Sequence, residues 1–137
     1  MGILKMYEEI FKISKNNSRA KNLLDMAEER KNDIKKNFKP YKIIEEYYEI
    51  IKELVTAIMY IEGYKTLSHK SLIIYLKKNY NKSFSSGEFI LIDRLRKLRN
   101  EILYYGKKIS KDFLINNEED IKKIINNLIK ITNEKLK

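Results

Sequence analysis

The chain has 137 residues, a formal net charge of +10, no cysteine and a single histidine. One domain of this length buries enough surface to fold without staples. The missing thiols exclude disulfides, a thiolate zinc site and a Cys nucleophile, and one histidine argues against a His-based metal site, so no metal or cofactor is expected.

The first predicted element is a helix over about Ile3–Lys15, with Ile3, Tyr7, Ile10, Phe11 and Ser14 on one face. Glu8 and Glu9 interrupt the stretch where an export signal would be apolar, and position 6 is Met6 rather than the hydroxyl residue that myristoylation needs. Asn16-Asn17-Ser18 then breaks and recaps the chain. A second helix, about Arg19–Phe38, places Ala20, Leu23, Leu24, Ala27, Lys31 and Ile34 at core spacing, and Pro40 suits the first turn of the next helix.

The third helix, about Tyr41–Gly63, has the broadest apolar stripe, from Ile43 and Ile44 through Tyr47, Ile50, Ile51, Leu54, Val55 and Ile58 to Ile61. Gly63 stops it. Ser68 caps a shorter helix carrying Leu72, Ile73, Tyr75 and Leu76, and residues 79–87 read as a polar loop. A helix over Glu88–Tyr105 follows and ends at Gly106, a residue suited to a left-handed C-cap. Lys107–Asn116 reads as a connector. Asn117 is expected to cap the last helix, with Glu118, Glu119 and Asp120 at its positive end. No apolar run reaches the ~18 residues of a membrane span. The expected architecture is all-α, an up-and-down bundle of five to six helices forming one domain over residues 1–137, in the cytoplasm.

At 100° per residue, Leu91, Leu95, Leu98, Ile102 and Tyr105 share one sector of the helix Glu88–Tyr105 and form its expected core stripe. Asp93, Lys97, Asn100 and Tyr104 fall nearly opposite, with Ile92, Arg96, Arg99 and Leu103 on a flank. Apolar groups off the core stripe (Ile92, Leu103, Tyr104) call for a second covering surface, and a homodimer through this helix is the simplest one. Three of the five arginines, Arg94, Arg96 and Arg99, lie within six residues of each other. In a Lys-rich chain this concentrates the side chain whose planar fork suits phosphate. The charge suits a polyanionic partner, although a Lys-biased genome would give the same composition.

Arg99-Asn100-Glu101-Ile102-Leu103-Tyr104-Tyr105-Gly106 resembles the signature of the HEPN family, in which an Arg and a following polar residue precede a His. Residues 20–29, 63–70 and 93–100 resemble the corresponding early helix, turn and approach to the motif, so the likeness runs from about Ser18 to the end. The resemblance implies a helical bundle that dimerises through its motif helices. It implies a module that binds RNA or nucleotide, in toxin–antitoxin or defence settings and beside a minimal nucleotidyltransferase. It also implies catalytic motif positions at Arg99, Asn100 and Tyr104. The basic cluster of Arg96, Lys97, Arg99 and Lys108 is itself the expected nucleic-acid contact.

The motif departs from the family where His is expected: Tyr104 stands there, and a phenol titrating near ~10 is a poor base at neutral pH. A non-cutting binding module is therefore the first expectation. A metal-independent endoribonuclease using Tyr104, and a purely structural homodimer, are the alternatives. His69 reads as a first-turn surface residue, and Glu62 either as a solvated helix-end residue or as an ion-pair partner for Arg96 or Arg99.

Overall fold

The computed structural model describes residues 9–137. They form a short strand β1 (Ile10–Lys12), α1 (Asn17–Asp33), α2 (Pro40–Glu62), β2 (Tyr64–Thr66), α3 (His69–Asn79), α4 (Ser86–Tyr105) and α5 (Lys111–Leu136). The protein is an all-α bundle of five helices among the described residues, with one two-stranded ribbon at its side.

α2 is the central element. It packs against α1, α3, α4 and α5, and its apolar positions cover so wide an arc that Ile44, Tyr47, Tyr48, Ile51, Leu54 and Ile58 are all buried. Pro40 opens it with a preset φ where no amide bond is lost. Gly63 closes it at φ +87°. There a side chain would suffer twice, from the left-handed backbone and from a Cβ 3.0 Å from the Ile13 carbonyl oxygen. That close approach seats β1. The Ile13 amide donates to Gly63 O and the Asn16 amide to Tyr60 O, and β1 pairs antiparallel with β2, Ile10 opposite Thr66.

Four expectations need correction. α1 ends at Asp33, with Ile34 already extended, and not at about Phe38. Residues 10–12 are a strand and 13–16 an irregular lead-in to α1, because the Asn16 side chain caps α1 by accepting from the Arg19 amide at 2.9 Å. The remainder of the expected first helix lies outside the described residues. α4 starts earlier than Glu88: Ser85 and Glu88 exchange both bonds of a capping box, at 2.9 and 3.1 Å. α5 likewise starts at Lys111, with Ser110 as its cap residue, and not at Asn117. Phe113 and Leu114 are buried, Leu114 in phase with Ile121, and the Asn117 side chain turns back to donate from Nδ2 to Phe113 O inside the helix. Gly106 ends α4 at φ +62° as the sequence suggests.

One ion pair is part of the interior. Glu53 on α2 is buried and accepts from Arg30 Nε on α1 at 2.8 Å, while Arg30 also reaches Glu46. Burial raises the pKa of the Glu53 carboxyl, and Arg30 opposes that shift.

Candidate nucleic-acid interface

The first half of α4 belongs to the core. Phe89, Leu91, Ile92 and Leu95 are buried because α4 has α2, α3 and α5 as neighbours. Ile92, expected off the core stripe, is only 1% exposed. With helices on three sides, the buried arc is wider than one stripe. Past Leu95 the helix runs out of that enclosure. Leu98 and Ile102 are half-buried, and Leu103, Tyr104 and Tyr105 are 52%, 69% and 84% exposed. Tyr105, expected in the core, is thus at the surface together with the motif residue Tyr104.

Between these halves lie the cationic side chains. Arg96 turns inward and donates from Nε to Asp93 Oδ1 at 2.9 Å, and Lys97 reaches the other carboxylate oxygen at 3.3 Å. Burial works against the charge on Asp93, but the bonds from Arg96 and Lys97 outweigh it and hold the carboxyl below its ordinary range. Arg99 lies with its guanidinium 5.9 Å from the centre of the Tyr48 ring, within cation–π reach. Its Nη1 approaches Asn100 Oδ1 at 3.5 Å, the outer limit of a hydrogen bond. Arg96, Lys97, Arg99 and Asn100 therefore share one stretch of α4. Tyr104 and Lys108 stand out at its exposed end, where Lys107 pairs with Glu101 at 2.7 Å.

The fold brings a residue into this stretch that sequence reasoning assigned to the surface. His69 opens α3, one residue after its Ser68 cap, and is only partly exposed. Its ring stacks on Tyr48 at 5.6 Å, and Nδ1 shares a 2.8 Å hydrogen bond with the Tyr48 hydroxyl. Tyr48 is 2% exposed. Burial pushes its phenol up to about 12, against the opposing pull of Arg96 and Arg99. Burial also lowers the pKa of His69, and the cations Lys52, Arg99 and Arg96 lower it further. The result is a neutral imidazole, oriented through one nitrogen, in a cationic setting. The signals in the sequence were slight: His69 is the lone histidine, and Tyr48 widens the apolar arc of α2 beside Tyr47.

A groove of about 680 Å³ between α3 and α4 continues from this cluster. Lys70, Lys77, Arg94 and Lys97 line it, with Asp93 as the counter-charge and Ile90 exposed on its wall. Arg94 is braced by the Phe113 ring, 4.7 Å from its guanidinium. Glu62 takes no part. It accepts from the hydroxyls of Tyr75 and Tyr80 and pairs with Lys135 at 3.0 Å, tying α2, α3 and α5 together, so the ion pair with Arg96 or Arg99 is not formed.

Among the described residues no group of three potential ligands could hold a metal ion, and no helix is long and apolar enough to cross a membrane. No protein-family model, no curated protein and no solved structure matches the chain.

Proposed function

We propose that the protein is a HEPN-like, non-cutting module that binds RNA through the α3–α4 face, working in the cytoplasm as a homodimer. The observation that carries this reading is the continuity of the Arg96–Arg99 cluster with the Lys- and Arg-lined groove beside it. A phosphodiester backbone lies along the groove, and Arg99, braced on Tyr48, grips one phosphate. The exposed Leu103, Tyr104 and Tyr105 form the dimer seam or stack on bases.

The test is titration of a fluorescent single-stranded RNA at several salt concentrations. Affinity falls steeply with salt, because each neutralised phosphate releases counterions. Arg99→Ala weakens binding about tenfold, the value of one charge-assisted hydrogen bond. Lys12→Ala leaves it nearly unchanged. Equal losses in both variants would reduce the binding to diffuse charge and overturn the reading.

A second reading, cleavage, is favoured by one observation: His69 supplies an oriented neutral imidazole near Arg99, whereas Tyr104 supplies an exposed phenol. In that chemistry the 2′-oxygen attacks the adjacent phosphorus and its proton passes to the imidazole. The P–O5′ bond breaks, and the leaving oxygen takes up a proton, giving a 2′,3′-cyclic phosphate and a 5′-hydroxyl. Cleavage in chelator that falls about 10²–10⁴-fold in His69→Gln, and persists in Tyr104→Phe, would establish it. An intact RNA pool leaves the binding module standing.

A further inference from the structure

A second cavity, of about 550 Å³, lies at the opposite end of α2 from Gly63, where the α1–α2 connection meets α5. It shares no lining residue with the α3–α4 groove. Ile34, Phe38, Ile43, Leu114 and Ile125 give it an apolar floor. Lys31, Lys35, Lys36, Lys111 and Lys122 stand exposed around its mouth. The lining holds one carboxylate, Glu118, and the Tyr47 hydroxyl donates to it at 2.6 Å.

Among the described residues none of these five lysines forms an ion pair. Lys31 donates only to the neutral side chain of Asn126, at 2.9 Å. Five like charges around an apolar opening repel one another, and Glu118 is the one carboxylate among the lining residues. The volume is that of a small-molecule site. Apart from the Tyr47–Glu118 pair and Asn126, whose side-chain oxygen is taken by Lys31, the lining is lysine and hydrocarbon. An unfunctionalised hydrocarbon needs no directed donor or acceptor.

We propose that this cavity binds a single-chain amphiphile with an anionic head, a fatty-acid-type carboxylate whose hydrocarbon lies on Phe38, Ile43 and Ile125 and whose head is held among the lysines. Such a ligand covers the half-buried Ile34 and Phe38 and the exposed Ile115, and discharges the rim in one step.

The probe is dodecanoate below its micelle concentration, followed by titration calorimetry and by the methyl resonances of Ile43 and Ile125. Saturable one-to-one binding that moves both methyl groups is expected. Decanoate should bind about tenfold more weakly, two methylenes fewer being worth about that factor. The double variant Lys35→Glu/Lys122→Glu should lose binding at least tenfold while keeping the far-ultraviolet dichroism of the parent, and Lys12→Glu should not. The proposal is overturned by unsaturable uptake, by methyl groups that do not move, by dodecanol binding as well as dodecanoate, or by equal losses in the double variant and the control. None of these outcomes depends on RNA binding, so this inference and the preceding reading can fail separately.

Discussion

The two halves of α4 continue one helix but do different work. From Phe89 to Leu95 it packs its apolar side against three helices, and it is begun by a capping box. From Arg96 to Tyr105 it carries a guanidinium cluster and then three exposed large side chains. Residues in the same sector of the helical wheel, Leu91 and Tyr105 among them, end in opposite environments. Angle says which residues share a side of a helix. Whether that side is covered depends on how far the neighbouring helices accompany it.

The contrast is sharpest in stability. Leu95→Ala, at a site with no exposure, should cost about 2–5 kcal/mol of unfolding free energy, through lost burial and the cavity left behind. Leu103→Ala should stay within about 0.5 kcal/mol in dilute protein. Urea denaturation measures both, and a comparable loss at Leu103 would show that the far half is covered as well.

The next effect concerns the boundary between the halves, where His69 and Tyr48 meet Arg99. The folded-state pKa of His69 lies below its ordinary 6.5. The stability it contributes is therefore complete above that value. It is lost as the pH falls toward the lower folded pKa, because only the unfolded chain readily takes the proton. Between about pH 7.5 and 5.5 the wild type should lose more stability than His69→Asn. Parallel pH profiles would place His69 outside the buried cluster. Tyr48→Phe removes its partner and should cost about 1 kcal/mol.

The smallest effect on folding, and the most telling about the exposed half, is Leu103→Lys combined with Tyr104→Lys. Monomer stability should hardly change. If the exposed end of α4 forms the homodimer seam, light scattering should shift from twice 16.5 kDa toward the monomer mass. A mass unaffected by the pair would place the seam elsewhere.

Much of the fold was legible because it is local. The stripe of α2, the Gly63 and Gly106 stops and the Ser68 cap are each written within a few residues. β1 was not legible: its three residues become a strand only because Tyr64–Thr66 lie alongside. Asn117 looked like a cap because Asn and the acidic residues after it resemble a helix start, but Phe113 and Leu114 already carry the core period upstream. In the site, the clustered arginines were visible as a composition anomaly within one helix. Tyr48 and His69 meet across two different helices, and Glu62 finds Tyr75, Tyr80 and Lys135 the same way. No periodicity within one segment encodes such crossings.

The ribbon at Gly63 also sets an order of events. Pairing β1 with β2 closes a loop that contains the whole of α1 and α2, and that closure is entropically unfavourable until the two helices have docked. The ribbon is therefore a late arrival in folding and an early departure in native-state opening. Its backbone amides should exchange with solvent deuterium well before those of Ile50, Leu54 and Ile58 at the centre of α2. β1 should thus detach and re-dock while the bundle stays intact.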